Sequence, residues 1–153
     1  MKRILLLSSI LALAALGGST AALAQSTVKT GPDQSTVRDP EIEKDSLHNL
    51  DVARQYFKLR KAYVAALERC EEIIAGDPNF SKIDEVFYLA GASSLKLANG
   101  QGKQASKLSP EKLREDARTY LGKLINDYPQ SSFRKSAEED LKSLPPSPTG
   151  KTQ

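Results

Sequence analysis

The sequence predicts an all-α fold of two stacked helical hairpins closed by a C-terminal capping helix, and three observations predict it. First, Ala66, Cys70, Ile73, Ile74 and Pro78 recur at the same mutual spacings in Ala117, Leu121, Leu124, Ile125 and Pro129. A small residue followed by large apolar ones at steps of three and four is one face of a helix, and the small residue lets a neighbouring helix come close. Second, the echo continues beyond each proline, through a serine-containing loop to Val86 in one copy and Ala137 in the other. Third, each proline stops a helix, and a unit of this size cannot bury its apolar face unless it stacks on another.

The chain begins with Lys2 and Arg3, an apolar run from Ile4 to Leu16, and Ala22-Leu23-Ala24 before Gln25. That is the three-part pattern of a secretory signal peptide cleaved after Ala24, and its apolar run is shorter than the roughly 20 residues that span a bilayer. We therefore read residues 1–24 as the signal, 25–39 as a disordered leader, 40–144 as the helical domain and 145–153 as a disordered tail. The formal net charge of +3 falls to +1 without Lys2 and Arg3, a balance that points to neither nucleic acid nor an acidic membrane surface. Cys70 is the only cysteine, so no internal disulfide is available and stability must come from packing. Its place on the repeated apolar face makes it a core residue.

Asp39-Pro40-Glu41 reads as a helix start with a capping carboxylate and proline at the first position, with Asp45 or Ser46 as the other possible start. Leu47, Leu50, Ala53 and Phe57 then define the buried face of the first helix. Leu59-Arg60-Lys61-Ala62 holds no Gly, Asn or Pro to mark a turn, so one continuous helix from Leu47 to Ala75 competes with two. The spacing of Tyr63 favours two, with Tyr63 packing back on Phe57. Gly76 is placed to cap the second helix in the left-handed conformation ahead of Pro78. Ser81-Lys82-Ile83-Asp84 has the form of a capping box for a third helix, whose apolar positions are Val86, Phe87, Leu89, Ala90, Leu95 and Leu97. In it, Gly91 leaves room for a crossing backbone. Asn99-Gly100 ends this helix, and Asn99 to Leu108, with two lysines and no acid, reads as a mobile surface loop; a partner-contacting loop is the alternative. Ser109-Pro110-Glu111 starts a fourth helix with Leu113, Ala117, Tyr120, Leu121, Leu124 and Ile125 inward. Ser131 or Ser132 caps a fifth with Phe133, Ala137 and Leu141 on the stack, ended by Leu144-Pro145-Pro146.

The Tyr–Ala–large apolar–Pro series resembles tetratricopeptide repeats. The stretches AALERCEEIIAGDPNFSKIDEVFYLAGASSLKL and ARTYLGKLINDYPQSSFRKSAEEDL are similar to the BamD-type outer-membrane assembly lipoproteins and to the CpoB-type periplasmic repeat domain. The resemblance spans Leu47 to Leu144. It implies a protein–protein interaction module of the cell envelope, exported to the periplasm, whose first helices line a groove bearing His48, Asp51, Gln55 and Lys58 beside Glu85, Tyr88, Ala92 and Lys96. An extended peptide or a partner helix of another envelope protein is the implied occupant. Three features depart from the BamD pattern: no cysteine follows the signal to take a lipid, only two repeats and a cap fit, and the first repeat lacks its turn glycine while the second carries the extra loop at Asn99 to Leu108.

No metal-ligand cluster, phosphate-binding glycine loop, nucleophile elbow or cofactor motif appears, and a Cys–His pair would need Cys70 and His48 to leave opposite environments. The sequence therefore implies a binding protein and no enzyme, with a homo-oligomer built on the long 47–75 helix as the alternative.

Overall fold

A computed structural model describes residues 38–146, and among these the fold is all-α with no strand. Five helices follow one another as antiparallel hairpins: α1 (Pro40–Gln55), α2 (Tyr63–Gly76), α3 (Ile83–Ala98), α4 (Pro110–Asp127) and α5 (Arg134–Ser143). The expected signal, most of the leader and the end of the tail lie outside the described residues.

Helix α1 starts where Asp39 and Pro40 direct: the Asp39 carboxylate accepts from the Glu41 N–H at 2.9 Å, with proline at the first position. Its buried stripe is Ser46, Leu50 and Ala53, with Phe57 half-buried beyond; Leu47, expected inside, is 36% exposed. The stripe is rotated one residue because the Ser46 hydroxyl donates to Asp77 Oδ2 at 3.0 Å, which satisfies a buried polar group on the line the leucine was expected to follow.

The break between α1 and α2 is real and uses none of the usual turn residues. The chain widens into a π-helical turn over Tyr56–Arg60, and Lys61 takes a left-handed conformation (φ 49°). The Ala62 N–H, just past the left-handed residue, then closes back on the Tyr56 carbonyl at 2.9 Å, one position wider than the usual left-handed helix cap because the turn it closes is π-helical. The continuous 47–75 helix is thereby excluded. Tyr63 packs edge-on against Phe57, ring centroids 5.3 Å apart at 63°, as the spacing implied.

Helix α2 ends without the left-handed glycine expected at Gly76, which is helical. Asp77 (φ −141°) closes the end, its N–H reaching the Ile73 carbonyl at 2.8 Å. The capping box expected at Ser81–Asp84 does not form either, because both side chains are engaged elsewhere. The Ser81 hydroxyl donates to Glu43 on α1, and Asp84 accepts from the Ser131 hydroxyl at 2.7 Å. Nor does Ser131 or Ser132 cap α5 by side chain: Ser131 Oγ takes the Phe133 N–H at 3.2 Å while donating to Asp84. The two serines do the same job in the two copies, tying the loop after each hairpin back to that hairpin's first helix.

Helix α3 is the centre of the stack. Val86, Phe87, Leu89, Ala90, Leu95 and Leu97 are all buried, and α2 and α4 pack along it. Helices α3 and α4 cross closely at Gly91, where a Cβ would lie 2.6 Å from Leu121 Cγ. Leu113, Ala117, Leu121 and Leu124 form the inward face of α4, with Tyr120 and Ile125 half-buried beside them, and Ala137 anchors α5. The Asn99–Leu108 loop is pinned at one end of the stack: Gly102 (φ 110°) passes over the Tyr63 ring, and the Lys103 N–H donates to the Lys61 carbonyl at 3.3 Å.

Candidate functional site

The first helices of the two hairpins, α1 and α3, are joined by a guanidinium. Arg54 makes a bidentate pair with Glu85, Nε to Oε1 at 2.6 Å and Nη2 to Oε2 at 2.5 Å, and its third nitrogen, Nη1, reaches Asp51 Oδ1 at 2.5 Å. The fork geometry of arginine matches a carboxylate in two parallel bonds, which fixes orientation as well as distance. Glu85 is largely buried in this arrangement, and the hydrogen bond to it drives the Arg54 guanidinium further from deprotonation. Two of the residues implied for the groove, Asp51 and Glu85, are thus held by a third that the sequence reading passed over. The i,i+3 spacing of Asp51 and Arg54 was visible; the partner on α3 was not.

His48 and Gln55 stand exposed on α1, on the side away from Leu50 and Ala53, and Lys58 is exposed in the π-helical turn that follows. On α3, Tyr88 is half-buried and stacks on Phe133 of α5, centroids 5.2 Å apart at 20°. Burial pushes its hydroxyl above the usual range, with the charges of Asp140 and Glu139 adding to the effect. Lys96 is half-buried near Asp140; burial raises the Asp140 carboxyl and the lysine charge pulls it back. Ala92 is buried, so it shapes the packing and offers no contact surface. The structure therefore brings Asp51 and Glu85 together through Arg54, leaves His48, Gln55 and Lys58 open to solvent, and engages Tyr88 with α5.

Cys70 is fully buried between the helices, and that burial pushes its thiol up to about 12, with the Glu71 and Glu85 charges in the same direction. It is a core atom, far in character from exposed His48. Among the described residues no group of three or more His, Cys, Asp or Glu side chains could hold a metal ion, and no helix is long and apolar enough to cross a membrane.

A packed all-α array of sequential hairpins defines a helical-repeat domain. The family model YfiO, described as outer membrane lipoprotein, matches residues 48–145, and the chain belongs to that family, the BamD-type proteins of the cell envelope. Comparison with curated proteins gave no significant match, and comparison with solved structures gave none.

Proposed function

We propose that the chain is an exported, periplasmic adaptor that holds an extended segment of another envelope protein on the face formed by α1 and α3, in work related to outer-membrane protein assembly or envelope maintenance. The observation that carries this reading is the Arg54–Glu85 pair with its third bond to Asp51, which holds the two helices as one preformed face. A preformed surface avoids the cost of ordering itself on binding, so affinity comes from shape and a few charge-assisted hydrogen bonds. The exposed donors and acceptors at His48, Gln55 and Lys58, together with the rim at Tyr88 and Lys96, are the contact positions. Binding involves no chemical step and no cofactor.

The test is loss of function with the fold intact. Gln55→Glu combined with Lys58→Glu reverses the character of the open part of the face without touching a buried atom. Cells carrying that variant in place of the natural chain are expected to show an outer-membrane permeability defect while the purified protein keeps its melting temperature. Full complementation by this variant would argue against the face as the binding surface.

A further inference from the structure

Two basic segments distant in sequence meet at one end of the stack. The turn between α1 and α2 carries Lys58, Arg60 and Lys61, the loop between α3 and α4 carries Lys103 and Lys107, and neither residues 56–62 nor residues 99–109 contain an acid. The Lys103 N–H bond to the Lys61 carbonyl and the passage of Gly102 over Tyr63 bring the two segments into contact. All five cationic side chains are exposed, and among the described residues none of them has a carboxylate within salt-bridge distance. Arg60 lies over the Tyr56 ring, 5.7 Å from its centroid. The nearest acids on α2, Glu68 and Glu71, lie further along the helix, on the wall of a cavity of about 440 Å³ that Lys107 also lines.

The same tip carries exposed apolar side chains. Of the four large apolar residues that stand exposed among the described residues, Leu59 and Leu108 belong to these two segments, and Leu59 at 79% is the most exposed of all. A lone leucine on a surface needs no explanation. Leu59 and the five cations share two touching segments, a combination of the two features that hold a protein to an anionic lipid surface: charge attraction to headgroups and an exposed apolar side chain to enter the acyl boundary.

We propose that this tip docks the domain on an anionic phospholipid surface, with Leu59 inserted at the headgroup boundary and Arg60, Lys61, Lys103 and Lys107 against the phosphates. Net charge concealed the site, because acids elsewhere on the chain balance cations that the fold collects at one end.

The test uses the chain from Gln25, which contains the whole described domain, and vesicles of phosphatidylglycerol mixed with phosphatidylethanolamine, with phosphatidylcholine vesicles as the neutral comparison. The chain has no tryptophan, so Leu59→Trp supplies a single reporter and Lys82→Trp, at the opposite end of α3, a control. The expected result is a blue shift and quenching by brominated lipid at position 59 alone, on the anionic vesicles alone, and reversed by high salt. Arg60→Gln, Lys103→Gln and Lys107→Gln together should weaken vesicle binding roughly a hundredfold, at about fivefold for each cation removed, with the helical spectrum unchanged. Equal shifts at both tryptophans, binding indifferent to lipid charge, or binding to polyglutamate with none to vesicles would each overturn the proposal, the last in favour of an acidic protein partner.

Discussion

Gly91→Ala tests the packing where α3 and α4 cross. A methyl group at this position would sit 2.6 Å from Leu121 Cγ and 2.7 Å from Cδ2, with the Leu121 backbone nitrogen at 3.3 Å. Those approaches are about 1 Å inside ordinary carbon–carbon contact. Leu121 is fully buried and cannot swing aside, so α4 must move away from α3 along the crossing. Overpacking of this kind costs roughly 1–3 kcal/mol, against which alanine recovers about 1 kcal/mol of helix propensity over glycine. The balance is a destabilisation of about 0–2 kcal/mol, or a melting temperature lower by up to roughly 16 °C for a domain of this size. Gly122→Ala on α4 is the matched control: nothing lies within 4 Å of its Cβ position, so the same substitution should stabilise by up to about 1 kcal/mol. Thermal and urea unfolding followed by far-ultraviolet circular dichroism measure both. A Gly91→Ala protein as stable as Gly122→Ala would refute the close α3–α4 crossing.

Further outcomes follow from the same geometry. Ala66→Leu or Ala117→Leu, both at fully buried positions, should each cost roughly 1–3 kcal/mol in the same unfolding assay, and unchanged transitions would mean that these alanines are not at helix crossings. Arg54→Ala leaves the Glu85 carboxylate in a largely buried place without its partner and should cost about 1–3 kcal/mol, and pairing it with Glu85→Gln should recover part of that loss; strictly additive effects would dissolve the pair. Cys70, raised to about 12 by burial, stays a protonated thiol at neutral pH, so its reaction with a disulfide reagent should follow the unfolding equilibrium; rapid labelling of the folded chain would contradict its burial. Asp140 has its carboxyl raised by burial, so the folded state holds that proton more tightly than the unfolded one and loses stability as pH rises through the raised value. Asp140→Asn should therefore stabilise the domain at neutral pH, with the gain fading in acid below the ordinary aspartate range.

What the sequence revealed and what it concealed divide along a physical line. The repeated faces Ala66–Cys70–Ile73 and Ala117–Leu121–Leu124 were legible because helix periodicity alone sets them, and the structure buries all six. Gly91 was legible because a glycine inside an otherwise good helix calls for a neighbour at that point. The errors came where a polar side chain had a second possible partner. Ser81 and Asp84 matched a capping box, yet each bonds across to another segment, and Ser46 displaced Leu47 from the buried stripe through its bond to Asp77. The turn at Lys61 carries no signature because a π-helical widening and one left-handed lysine replace the expected glycine. Of the residues implied for the groove, Asp51 and Glu85 meet through Arg54, whose place depends on a contact between two hairpins that no local pattern encodes.

The most direct test of the central claim, that the α1–α3 face receives another envelope protein, is site-specific photo-crosslinking in the intact envelope. A crosslinker at Gln55 or His48, both exposed on α1, should capture a discrete envelope protein, while crosslinkers at Glu72 on α2 and Arg118 on α4 should not. Capture from Glu72 and Arg118 with none from Gln55 or His48, or recovery of only a second copy of the chain, would contradict it.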